Sequence, residues 1–256
     1  MKEWNILSKV VAATTDNGQN VISAVEKLEL LNLPCVGHTL QLVVKHAFNV
    51  PSVSRILARI KRLVLHFCKS PKATYKLNDK QTLLGLKQES FKNECVTRWG
   101  STYKMLATLL HQQQAICTVL LDSEKHSDKD LIATSQEFTV PEELLAILKP
   151  FNDTTEVVSS ERYLTLSIVL PILHKLLHVK LKATDYDSHL VKEIKRVIRA
   201  DLELRYQDKE IQMLRIATYL DPRFKSLSFL DEVEKLQLKL DVKQCISGAH
   251  QEGRWC

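Results

Sequence analysis

The sequence predicts a mainly α-helical chain with only one or two β-strands, both near its start. Three observations predict it. Glycine and proline are scarce, at six and seven of 256 residues, which disfavours a turn-rich all-β sandwich. Apolar residues recur at helical spacing along most of the chain, as in Ile56, Ile60, Leu63 and Phe67. One β-branched run, Val10 to Thr15, departs from that spacing. It stops at Asp16-Asn17-Gly18, the turn chemistry that ends a buried strand.

Each element follows in order. The strand sets Asp16 at its carboxyl end, where layered α/β folds meet ligands and metals. Asn20 is placed to cap a helix carrying Val21, Val25 and Leu28 on one face. Pro34 closes the linker after it. Cys35 and His38, three apart, then share a helix face, and the run from Leu40 to Phe48 is apolar enough to pack on a sheet. Pro51 breaks the chain before an amphipathic helix over Ser52–Ser70, with Arg55, Arg59 and Arg62 on the face opposite the apolar stripe. Asp79 to Asn93 reads as a connection holding a helical turn or two. Thr97 or Ser101 starts a helix through Met105, Leu109 and Ala115 to about Leu121, and Asp122 to Asp130 is an exposed loop.

Pro141-Glu142-Glu143 suits the first turn of a helix that stops near Pro150, its acids close to the positive end of the dipole. Helix resumes over Asn152–Ser160, and Glu161 to Tyr163 connects. Leu166 to Leu181 crosses a core, with Pro171 in the first turn or at a kink. Val191 to Tyr206 turns Ile194, Val197, Ile198 and Leu202 inward. Met213 to Leu220 ends at Asp221-Pro222, and Leu227 to Leu240 forms the last helix. The residues from Val242 to Cys256 lose periodicity and read as a disordered tail.

Charge narrows the partner. Lys and Arg number 36 against 30 Asp and Glu, a net charge of +6. No acid occurs between Leu30 and Asn78, whereas Lys45, Arg55, Arg59, Lys61, Arg62, Lys69, Lys72 and Lys76 all do. That uneven window suits a phosphate backbone; a solvated helix face is the alternative. The cysteines Cys35, Cys68, Cys95, Cys117, Cys245 and Cys256 form no Cys-x-x-Cys pair, so neither a zinc ribbon nor a disulfide framework is indicated. The N-terminus lacks a signal peptide's apolar core, and no apolar run reaches the roughly 20 residues of a membrane span. Serine–histidine–acid triads, glycine-rich phosphate loops and dinucleotide fingerprints are missing.

Several side chains carry two readings. Asp16 is a metal-binding carboxylate or a turn cap. Cys35 and His38 form half a zinc site with His66 and Cys68, or are a small buried thiol and a surface imidazole. Trp99 reads locally as an anchor of helix packing.

The blocks Thr15-Asp16-Asn17-Gly18-Gln19-Asn20, Leu33-Pro34-Cys35-Val36-Gly37-His38-Thr39-Leu40-Gln41-Leu42, Thr97-Arg98-Trp99-Gly100-Ser101-Thr102-Tyr103-Lys104-Met105-Leu106, Leu148-Lys149-Pro150-Phe151 and Leu220-Asp221-Pro222-Arg223-Phe224-Lys225 resemble, in that order, the transposase core of the hAT superfamily and its domesticated relatives with BED-type zinc fingers. The resemblance implies part of an RNase H-like α/β core over residues 1–95, a large all-helical insertion over 96–240 and a tail over 241–256. It makes Asp16 a vestige of a catalytic set that holds Mg²⁺ in active relatives. It sets Cys35 and His38 near DNA, with Trp99 placed to stack on an unpaired base and Arg98 to meet phosphate, whereas the Asp221 block reads physically as a helix stop with a structural role. The family's first catalytic Asp, its last catalytic Glu, its dimerisation segment and its zinc-holding BED finger have no counterpart in these residues. The expectation is therefore an interior segment with no cofactor of its own, monomeric or weakly oligomeric. It would act in the nucleus on DNA or with other nuclear proteins, in transcriptional control and without catalysis. The alternatives are a metal-dependent DNA transposase or nuclease that needs the missing segments, and a non-functional truncated product.

Overall fold

In order, the elements are β1 (Ala12–Thr15), α1 (Gln19–Lys27), β2 (Leu31–Pro34), α2 (Val36–Phe48), α3 (Pro51–Lys69), α4 (Pro71–Leu83), α5 (Trp99–His111), α6 (Gln113–Leu121), α7 (Ser135–Ser159), α8 (Val169–His174), α9 (His189–Arg205), α10 (Asp208–Leu220) and α11 (Glu232–Gln251). A 3₁₀ turn, Leu166–Ile168, leads into α8, and a π-helical stretch, Lys175–Lys180, leaves it. This computed structural model describes residue 10 and residues 12–91, 99–122, 135–159, 166–206 and 208–251. The expected exposed loop after Asp122 and the connector at Glu161 to Tyr163 lie outside the described residues. The fold is mainly α with one two-stranded parallel sheet, as expected.

The described residues group into two compact units. One draws on Met1–Leu42, Thr154–Lys182 and Arg199–Cys256, the other on Val43–Asp153 and Ala183–Ile198. In the first, β2 lies against α10, so elements from the two ends of the chain share one core.

In the first unit β1 and β2 pair in parallel, with Ala12 opposite Leu31 and Thr15 opposite Pro34. The segment before Pro34, expected as a linker, is thus a strand. Four residues, Leu-Asn-Leu-Pro, offer too little alternation to read. Helix α1 joins the strands and ends in a Schellman pattern. The Leu30 amide donates to the Val25 carbonyl and the Glu29 amide to that of Glu26, with Glu29 left-handed at φ 55°. Gly18, not Asn20, precedes α1, and of its expected face only Val25 is buried.

Helix α10 packs on the 166–168 turn, α8 and α11. Leu227, Leu230, Leu238 and Val242 form a cluster with Ile216, Tyr219 and Phe229 against it. A capping box opens α11: the Glu234 amide donates to the Asp231 carboxylate, and the Glu234 carboxylate accepts from the Asp231 amide. The helix runs on to Gln251, so the tail expected from residue 241 is corrected that far. Val242, buried in the cluster, carries the helix past the point where the pattern fades.

The Asp221 block ties two of these elements together. Ser167 donates to the Asp221 carboxylate at 2.5 Å, Arg223 grips it through Nη2 at 2.6 Å, and Thr218 donates to the Ser167 carbonyl. The Arg223 guanidinium, aided by Ser167, holds the Asp221 carboxyl well below the usual carboxylate range. A depressed folded value stabilises above the unfolded pKa of about 4 and is lost as pH falls through the folded value. Asp221→Asn is therefore expected to melt below the wild type at neutral pH. The gap should persist down to about pH 4 and close in stronger acid; thermal melts across pH check this.

In the second unit α3 packs on α4, and α6 on both α4 and α5. Helix α4 supplies the helical turn expected after Asp79 with its last residues, and it begins earlier, where its start is signalled. Ser70 accepts from the Ala73 amide as N-cap, and Pro71 holds the first position. The helix expected over about 97–121 breaks at Gln112 into α5 and α6.

Helix α7 also differs from expectation, running unbroken through Pro141 and Pro150. Each interior proline costs about 3 kcal/mol. Phe138, Leu144, Ile147, Leu148, Phe151 and Val158 are all buried along it, and at about 1.5–3 kcal/mol each they outweigh that cost.

Candidate nucleic-acid interface

At the carboxyl ends of the two strands the chain gathers polar groups. Thr15, 6% exposed, donates to Asn32 Oδ1 at 2.8 Å across the sheet, and the Cys35 amide donates to the Thr15 carbonyl at 2.8 Å. Asp16 therefore lies exposed at a strand end with Cys35 at the next. Its Oδ1 accepts from the Gly18 amide at 3.1 Å. A Cβ on Gly18 would stand 3.1 Å from that oxygen, a tight contact that a shift of a few tenths of an ångström in the exposed Asp16 side chain would relieve. Asn17, left-handed at φ 66°, completes the turn.

Helix α2 starts directly after Cys35, whose carbonyl accepts from the Thr39 amide. Cys35 and His38 are both half-buried. Beneath them Thr39 is fully buried, and its hydroxyl lies close to that of Tyr206 without an aligned hydrogen bond between them. Burial pushes the Tyr206 phenol up to about 12, so it stays neutral.

The strand-end residues do not fit a two-metal centre. Paired divalent ions need several oxygen ligands and bridging carboxylates. Asp16 offers one carboxylate, with an oxygen already hydrogen-bonded. Among the described residues no three of His, Cys, Asp and Glu gather in metal-binding reach, which also leaves the zinc reading of Cys35, His38, His66 and Cys68 without a completed site. Cys68 instead directs its thiol at the Phe91 carbonyl, 3.6 Å away.

The basic residues are set out by α3. Val53, Leu57, Ile60, Leu63, Val64 and Phe67 are buried, which turns Arg55, Ala58, Arg62, Leu65 and Lys69 to solvent. Two details differ from the expected register. Ile56 sits at the edge of the buried stripe, half-exposed, and Arg59 is half-buried while Arg55 and Arg62 are exposed. Arg55 donates to the Pro51 carbonyl. Arg62, Lys69, Lys72 and Lys76 have no acidic partner among the described residues.

Trp99 is 3% exposed, its indole edge-on to Tyr103 with ring centres 6.2 Å apart. In this conformation neither ring face is open to a base. Arg98 lies outside the described residues. Sequence reasoning missed two buried glutamines. Gln81 and Gln112 donate to the Glu89 and Lys87 carbonyls at 2.9 and 3.0 Å, clipping the 84–91 segment to α4 and α6. A glutamine on the inner face of a helix is the signal for Gln81, whereas Gln112 sits at the break between α5 and α6 and carries no such signal.

Residues 33–147 match the family model of the ZBED1 RNase-like helical domain. The chain is 25% identical to human zinc finger BED domain-containing protein 4 over 91% of its own length and 19% of that protein's. It is 28% identical to human zinc finger BED domain-containing protein 6 over 83% of its length and 22% of that protein's. It is 25% identical to the putative AC transposase of Zea mays over 89% of its length and 30% of the transposase's. The chain is thus similar to hAT-type transposases and to BED zinc finger proteins. It spans less than a third of each of these relatives. Among the described residues no helix is long and apolar enough to cross a membrane.

Proposed function

We propose that this chain is a nuclear nucleic-acid-binding module, serving transcriptional regulation, whose α3 face meets the phosphate backbone. The observation that carries the proposal is the set of cations on α3 and α4 without acidic partners. A protein that neutralises phosphates releases condensed counterions, so its affinity falls steeply as salt rises. Relatives that bear BED zinc finger and transposase names support the same reading. The test is a salt titration of duplex DNA binding by the purified chain. A steep fall in affinity is expected, and no binding at low salt would reject the proposal.

The same reading has the chain bind without cutting. A single-ligand ion at Asp16 cannot align an attacking hydroxyl with a scissile phosphate. Incubation of the purified chain with duplex DNA and Mg²⁺ or Mn²⁺ is expected to leave the DNA intact, and Asp16→Asn to behave alike. Cleavage by the wild type that disappears in Asp16→Asn would overturn this and mean that other residues complete a site.

A further inference from the structure

We infer that Tyr75 is a stacking platform for an unpaired base, so that α4 binds single-stranded DNA; this rests on the phosphate-binding reading above. Tyr75 is 74% exposed on the second turn of α4. Its outward position is fixed by packing, since Ala73, Leu77 and Gln81 are buried on the opposite side of the same helix. The corner beneath it is tied down. The Ser70 hydroxyl accepts from the Ala73 amide, and Thr74 donates to the Phe67 carbonyl at 2.6 Å. A tyrosine has few side-chain torsions to fix, and on a tied-down helix start it loses little freedom when a base settles on it, which is what a stacking platform requires.

The charges around Tyr75 suit the strand that would carry the base. Lys72 lies three residues before it, on the same helix face. Lys76 follows it, and Lys69 stands just across the α3–α4 corner. None of the three has an acidic partner among the described residues. Lys72 also sits in the first turn of α4, where the helix dipole disfavours a cation and where no acid offsets it. A phosphate beside Lys72 relieves both. The first acid after the charged window, Asp79, falls one turn beyond Tyr75 and confines the surface to the start of α4. An exposed aromatic among unpaired lysines combines sequence-tolerant stacking with backbone charge. Duplex DNA, with its bases already stacked, would use only the charges.

The experiment uses the full chain, oligo(dT) and a duplex of equal length. Tyr75→Ala should bind oligo(dT) about tenfold more weakly, with duplex affinity changed less than about twofold. Tyr75→Phe should restore oligo(dT) binding, and the emission of Tyr75→Trp should be quenched by oligo(dT) more than by duplex. Because the side chain is exposed, all three variants should melt with the wild type. Duplex binding with oligo(dT) affinity unmoved by Tyr75→Ala, or Tyr75→Trp emission insensitive to oligo(dT), would overturn the stacking inference alone. Failure of the wild type to bind either nucleic acid would sink the phosphate-binding reading on which it rests.

Discussion

Reversing the charges of α3 in the triple variant Arg55→Glu, Arg59→Glu, Arg62→Glu is expected to weaken duplex DNA binding on the order of a hundredfold at low salt. Arg55 and Arg62 stand on the solvent face of a helix whose other face is buried, so packing points them away from the protein. Each phosphate left without its arginine lowers the slope of log affinity against log salt by about 0.9, and the new carboxylates add repulsion. The weakening should be similar for all sequences, because groups that meet only the backbone read no bases. Arg59 is half-buried and engaged, so its replacement also strains the fold. The double variant Arg55→Glu, Arg62→Glu isolates the electrostatic effect, and thermal melts identify any unfolding. Unchanged affinity in a folded triple variant would place the DNA elsewhere on the protein.

Trp99→Ala should lower stability by about 3–5 kcal/mol, the cost of emptying a large aromatic site in a packed core. The side chain is 3% exposed and its edge meets Tyr103, so truncation removes both transfer energy and a ring–ring interaction. At about 2–4 °C per kcal/mol the melting temperature falls by roughly 6–20 °C. Trp99→Phe should recover part of it. A variant that melts with the wild type yet no longer binds DNA would show instead that the indole swings out to meet a base.

The strand before Asp16, the helix α3 and the basic window were legible because each rests on a local signal. A β-branched run met a turn, an apolar stripe repeated at helical spacing, and acids were missing over a long interval. Helix α9 was legible for the same reason, with Ile194, Ile198 and Leu202 buried as expected and Val197 half-buried at the edge of the stripe. Tertiary context decided the rest. Strand β2 is set by pairing with β1, and four residues are too few for a period to emerge. Helix α4 mixes Lys, Thr, Asn and Gln on its surface, so its pattern is weak, and only the Ser70-Pro71 start announced it. The prolines of α7 misled because local propensity gave way to burial. At the candidate interface, single residues could be named from sequence. The burial of Trp99 and the exposure of Tyr75 could not, since both depend on which side of a helix faces the core.

Because the first unit is assembled from separate stretches of the chain, its strands must wait for a distant partner. They pair within the first 34 residues, yet β2 packs on α10, which begins at Asp208. Elements so distant in sequence close a long loop before they return any stabilisation, and such topologies fold slowly. The second unit is drawn mostly from one continuous stretch, Val43–Asp153, with local helix pairs such as α3–α4 and α5–α6. During synthesis those hairpins form while β1 and β2 still await their partner. The β1–α1–β2 segment thus spends the interval until α10 leaves the ribosome with its apolar side uncovered, a window in which chaperones rather than the native core protect it.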